Sequence, residues 1–192
     1  MNIDLKNKIA FFIIGLIVLS IFSESVFANT KSPELTKARK KYYQAVQEED
    51  YVLAAEKEFL ELKKDARYAG LSATYLGSIT ALKAKYAFWP NTKLSLANKG
   101  IEEMESGLKK DPENIESLFI YGSTCFYLPF FFDKEDDSVT ALKKIIELYP
   151  KRGKEYEPEI VENALLFILN EVDITETEKK KIYKYLGELK KA

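Results

Sequence analysis

Beyond residue 28 the apolar positions of this chain recur at three- and four-residue spacing, the period of helices that bury one face. Leu35, Ala38, Tyr42, Ala45 and Val46 form a first stripe. Ser32-Pro33, a capping residue followed by proline at the first helical position, opens it, and the acids from Glu48 break it. Ala55, Phe59 and Leu62 mark a second helix over residues 51–64. A third spans 66–87, where Ala69, Gly70, Ala73, Gly77 and Ser78 suggest close packing by neighbours. Proline disfavours helix for the residue before it, so "FWPN" ends this helix, and Asn91 is expected to cap a fourth that reaches Lys110. "DPEN" is a turn of the proline and Asx kind. "IESLFIYGSTCFYL" is a fifth helix ended by Pro129, and a sixth starts near Asp136 or Asp137 and ends at Tyr149-Pro150. The seventh, from Pro158, is apolar on most sides and is expected to lie centrally. Thr175 with Glu178 three residues on has capping-box spacing and opens the eighth.

Short linkers favour antiparallel hairpins, and no Gly/Ser stretch divides the chain. The expected fold is all-α: about eight helices in antiparallel hairpins, forming one domain over residues 29–192. Between the fifth and sixth helices stands "YLPFFFDKEDD". At least two of Phe130, Phe131 and Phe132 are expected to fold back and be buried near the seventh helix. Exposure of all three would instead mark an interaction patch. The acids Asp133, Glu135, Asp136 and Asp137 complement a helix start. A calcium loop would need alternating ligands and a glycine at its sharp turn, which this stretch lacks.

Helical-hairpin chains call for a search at a period of about 34 residues. Gly100, Met104, Gly107 and Pro112 follow one another at spacings of four, three and five. Leu118, Tyr121 and Gly122 continue that register, and Ser138, Leu142, Ile145 and Pro150 repeat it. About four extra residues fall within "LPFFFDKEDD", and about eleven separate Leu76-Gly77 from Gly100. The pattern resembles the tetratricopeptide repeat over roughly residues 35–150. It is also similar to an uncharacterised group of exported bacterial tetratricopeptide-like proteins. Trp89, Pro90, Lys93, Leu94, Ser95, Asn98, Gly100, Asp111, Pro112, Asn114, Glu116, Leu128 and Pro129 carry that likeness. The resemblance implies a degenerate right-handed solenoid or a compact helical array, with first helices lining a concave face. It implies no established activity.

The start of the chain follows another pattern. Lys6 and Lys8 precede an unbroken run of apolar and small residues at 9–22, and Val26 and Ala28 hold the small-residue positions of a cleavage site. The run has 14 residues, against the roughly 20 of a membrane-spanning helix. Residues 1–28 are therefore expected to be a signal peptide cleaved after Ala28, placing the protein in the periplasm or cell envelope. The alternative is an uncleaved N-terminal helix that tethers it to the membrane. With cleavage, no stable membrane anchor is expected.

Composition then narrows the chemistry. The net charge is −1, which gives no electrostatic case for nucleic acid. Histidine is absent and Cys125 is the only cysteine. The commonest general base, the commonest metal ligand and thiolate zinc sites are thus missing, so no metal and no cofactor is expected. Cys125 lies on an apolar stripe as a small core residue. The carboxylates Glu102 and Glu105 read as a solvated face, since no partner on another helix is recognisable.

Aromatic residues among lysines are the remaining candidate site. Tyr86, Phe88 and Trp89 lie among Lys83, Lys85 and Lys93. Such a set either binds an anionic or peptide ligand by stacking and charge, or seals a hairpin beneath solvated lysines. The expected binding face holds Tyr42, Tyr75, Lys83, Tyr86, Trp89, Lys93 and Tyr121. Repeats stack to build concave surfaces, and the expected function is a non-catalytic binding or scaffolding module for a peptide or partner protein. The alternatives are a ligand-binding accessory protein of a solute transport system, marked by a deep closed cavity, and an enzyme of unknown class.

Overall fold

The computed structural model describes residues 32–191, so the expected signal peptide at residues 1–28 lies outside the described residues. Those residues form α1 (Pro33–Gln47), α2 (Val52–Leu62), α3 (Ala69–Tyr86), α4 (Pro90–Lys110), α5 (Ile115–Phe126), α6 (Glu135–Arg152), α7 (Pro158–Glu171) and α8 (Glu176–Leu189). Four short 3-10 turns link them, and no strand occurs among the described residues. The expected all-α array of eight helices is what forms. No helix there is long and apolar enough to cross a membrane.

Local chemistry sets the boundaries. The Ser32 hydroxyl accepts from the Leu35 N–H at 3.1 Å. The Asn114 side chain accepts from the Ser117 N–H at 2.9 Å, and the Thr175–Glu178 capping box is complete. Two boundaries differ from expectation. Asn91 caps nothing: Trp89 holds the N-cap position and Pro90 the first helical one, so Asn91 is already inside α4. Pro150 does not end α6, which continues to Arg152. A proline near the end loses one backbone bond, and Arg152 ties this last turn to Asp111 and Glu155.

The helices sort into two layers. Odd-numbered helices pack on successive odd-numbered ones, α1 on α3, α3 on α5 and α5 on α7, while each also packs on its even-numbered partner. The second hairpin, α3 with α4, is the most intimate. A Cβ added at Gly77 would lie 2.5 Å from the Met104 nitrogen and 2.6 Å from the Gly100 carbonyl oxygen, so α3 and α4 meet backbone to backbone. α5 and α6 repeat the arrangement: Gly122 faces Leu142, and the Ser138 hydroxyl donates to the Gly122 carbonyl at 2.8 Å. In both hairpins a glycine of the odd helix seats two residues four apart on the even one.

Two apolar cores result. One joins α1, α2 and α3, and the other joins α4 to α8; Ile120 of α5 belongs to the first, while Phe119 and Tyr121 belong to the second. Between them lies a buried ion pair. Arg39 Nε donates to Glu116 Oε1 at 2.6 Å and Nη2 to Oε2 at 2.5 Å, with Glu116 0% exposed. The Tyr75 hydroxyl donates to the same carboxylate at 2.6 Å, and Arg39 Nη1 reaches Glu157 at 3.0 Å. Burial opposes the Arg39 charge, but Glu116 outweighs it and holds the guanidinium pKa above its ordinary value. α7 is not surrounded: Ile160, Val161, Ala164, Leu165 and Ile168 are buried, while Asn163, Leu166 and Asn170 stay exposed.

Candidate functional site

The two glycine-seated hairpins differ in length above their seats. α3 continues nine residues past Gly77 to Tyr86, and α4 begins ten residues before Gly100. α5 runs only four residues past Gly122, and α6 begins three before Ser138. At 1.5 Å per residue the α3–α4 hairpin overshoots its neighbour by roughly 7–10 Å. The step so formed is a cleft of about 730 Å³. Its α3 wall runs from Ser78 to Lys85 and its α4 wall from Pro90 to Ala97, so each wall starts beside the shorter hairpin and reaches up into the overshoot. Phe119, Ile120 and Thr124 of α5 form the floor, the end of α1 contributes Tyr42, Tyr43 and Val46, and the α5–α6 turn closes the far side with Tyr127, Leu128 and Phe131.

The floor is apolar except for a chain of hydroxyls. Tyr42 Oη and Ser78 Oγ lie 2.7 Å apart, and Ser78 Oγ and Thr124 Oγ1 2.9 Å apart, which fastens α1, α3 and α5 together. Burial pushes the Tyr42 phenol up, against smaller pulls from Ser78 and Thr124, so it stays a neutral hydroxyl. Two exposed cations sit at the α3–α4 rim. Lys85 Nζ donates to the Val46 carbonyl at 3.1 Å and Lys93 Nζ to the Lys85 carbonyl at 3.3 Å. Among the described residues neither has a carboxylate within 4.0 Å, unlike Lys83, which pairs with Glu56 at 2.5 Å.

The turn at 127–134 corrects the expectation that two of its three phenylalanines are buried. Phe130 is 90% and Phe131 62% exposed, while Phe132 alone packs against the core. The three form one 3-10 turn, closed by the Asp133 N–H donating to Phe130 O at 3.0 Å, with Asp133 left-handed at φ 53°. A 3-10 helix has three residues per turn, so three consecutive side chains splay about 120° apart and only one can face the core. Phe88, Trp89, Tyr127, Phe130 and Phe131 are all exposed, on the two turns that flank the cleft.

Of the seven expected site residues, Tyr42 and Lys93 line the cleft. Trp89, 68% exposed, stands beside it at the start of α4, stacked edge-on to Phe88. Tyr86 is half-buried and donates to the Ala45 carbonyl at 3.1 Å, sealing α3 to α1. Tyr75 is buried on Glu116. Tyr121 is buried in the second core, 3.4 Å from Glu105. Lys83 faces α2, in a separate, more polar hollow with Thr80 and Glu103. No group of three or more metal-binding side chains occurs among the described residues.

Sequence reading missed the wall residues Leu82, Leu94 and Ala97 and the floor residues Ser78 and Thr124. Leu94 carried a signal: it is apolar and in helical phase with Ala97 and Ile101, one turn before the buried part of α4 begins. Arg39 and Glu116 carried one too, since each interrupts an apolar stripe. No protein-family model, curated protein or solved structure matches this chain.

Proposed function

We propose that this protein is a non-catalytic binding module, exported to the periplasm or cell envelope, that holds a peptide or partner protein on its odd-helix face. One observation carries the reading: an apolar cleft, open to solvent, flanked by two turns with exposed aromatic side chains. Contiguous exposed apolar surface of this kind marks interaction sites in folded proteins. The open cleft favours a macromolecular partner over the enclosed pocket of a solute-binding accessory protein. The carboxylate of the buried ion pair is saturated by Arg39 and Tyr75 and does not line the cleft. The tetratricopeptide-like assignment is part of this proposal, supported by the register that the two glycine-seated hairpins share.

Photo-crosslinking in cells tests the site. A photoreactive residue replaces Leu94, Tyr127 or, as control, Leu53, which is exposed on α2. The same adduct is expected from Leu94 and Tyr127 and not from Leu53. Adducts of equal yield at all three positions, or at none, overturn the assignment of the cleft.

A further inference from the structure

The cleft is walled by helix flanks and a single turn. Backbone groups inside the helices are already paired, and those left over at the start of α4 and the ends of α3 and α5 lie on separate elements, so the walls offer no continuous ladder to an extended chain. The hydroxyls that face the cleft are also engaged. Tyr42, Ser78 and Thr124 bond one another, Ser123 Oγ donates to the Phe119 carbonyl at 2.7 Å, and the Val46 and Lys85 carbonyls are taken by lysines. A peptide entering here in extended form would lose water from its amides without replacement. A helix satisfies its own backbone and loses nothing of the kind. The lining points the same way: it is mostly apolar, which suits the continuous apolar stripe that a helix presents. A lone acyl chain would sink to the floor and leave both rims wet. Lys85 and Lys93 supply two cations unneutralised by any carboxylate among the described residues.

We propose that the cleft binds an amphipathic α-helix of a partner protein, its apolar stripe on Leu82, Leu94 and Phe119 and an acidic residue on Lys85 and Lys93. The inference rests on the binding-module reading and names the form and charge of the segment bound.

A displayed library of random 16-residue peptides is selected against residues 29–192, and soluble copies of the enriched peptides are titrated while the emission of Trp89, the sole tryptophan, is followed. Enriched sequences are expected to carry apolar residues at i, i+3, i+4 and i+7 beside an Asp or Glu. Their binding should shift Trp89 emission to the blue and weaken about a hundredfold when a proline is placed mid-peptide. Lys85→Glu with Lys93→Glu should weaken it about tenfold at low salt, and less at high salt. Leu94→Glu should weaken it with unchanged thermal stability, and Leu53→Glu should leave it intact. Peptides that bind the cleft yet tolerate proline overturn the helical inference and leave the binding-module reading standing. Peptides indifferent to Leu94→Glu overturn both. No enrichment, displacement of the selected peptides by oleate at micromolar levels, or self-association through the cleft each overturn the helix.

Discussion

The same substitution, glycine to alanine, should have opposite effects in two helices of this protein. Gly187, exposed in the last turn of α8, has nothing within 4 Å of where a Cβ would stand. Alanine there removes only the entropic disadvantage of glycine, about 0.8–1 kcal/mol. For a domain of this size that raises the Tm by about 2–4 °C. Gly100 carries the same propensity gain, but its Cβ would lie 2.6 Å from both the Ala81 nitrogen and the Gly77 carbonyl oxygen. These are backbone atoms of α3 and cannot rotate aside. Ordinary contact begins near 3.4 Å, so α3 and α4 must part by about 0.8 Å along their tightest stretch. Strain of this kind reaches about 3 kcal/mol. After the propensity gain, Gly100→Ala should lose about 2 kcal/mol and lower the Tm by about 4–8 °C. Urea and thermal unfolding followed by circular dichroism measure both variants. Equal stabilisation by the two would refute the backbone contact between α3 and α4, and with it the seat that positions the cleft walls.

Two further outcomes follow from buried groups. Glu116→Gln breaks the bidentate pair with Arg39 and should cost up to about 3–5 kcal/mol in urea unfolding, because the buried guanidinium then leans on the partly exposed Glu157 at 3.0 Å. Replacing Arg39, Glu116 and Tyr75 together by Met, Leu and Phe should recover most of that loss, and failure of the triple variant to recover would show that the three do not act as one network. Burial pushes the Cys125 thiol from about 9 up to about 12, against a smaller opposing pull from Tyr121. The folded thiol stays protonated where the unfolded one ionises, so its contribution to stability is intact below pH 9 and is lost as pH rises toward 12. At pH 8 a thiol reagent should label Cys125 only along the urea unfolding curve, and rapid labelling of the folded protein would contradict its burial.

The helices were legible because their signals are local. Ser32-Pro33, Asn114 and Thr175–Glu178 name their own boundaries, and the apolar stripes that follow need no knowledge of distant residues. Where local signals competed, the reading slipped. Asn91 is a good capping residue, but Pro90 is a better first helical residue, and its fixed φ places the cap at Trp89. The three phenylalanines were read by hydrophobicity alone. Their burial was decided by the 3-10 geometry of a turn that a left-handed Asp133 brings round to α6. Of the expected binding residues, Tyr75 and Tyr121 fell on odd helices as reasoned but on the flanks that meet α5's ion pair and the second core.

The cleft was not legible, for a different reason. It belongs to no segment, because it is the difference between two hairpins: α3 and α4 extend nine and ten residues beyond their glycine seats, while α5 and α6 extend four and three. The sequence contained both numbers, as extra residues relative to a regular repeat, and in a regular solenoid they read as defects. In three dimensions the long excess makes a wall, and the short one makes a lip. Phe132 and Leu128 hold the lip on the core and Lys134 ties its end to Glu105, while Phe130 and Phe131 stay exposed. The tripeptide therefore divides between burial and display, one side chain to two. That division ties the rim to the second core, so Phe132→Ala should cost core stability and loosen the lip together, read as faster proteolysis at residues 128–134 in the folded protein.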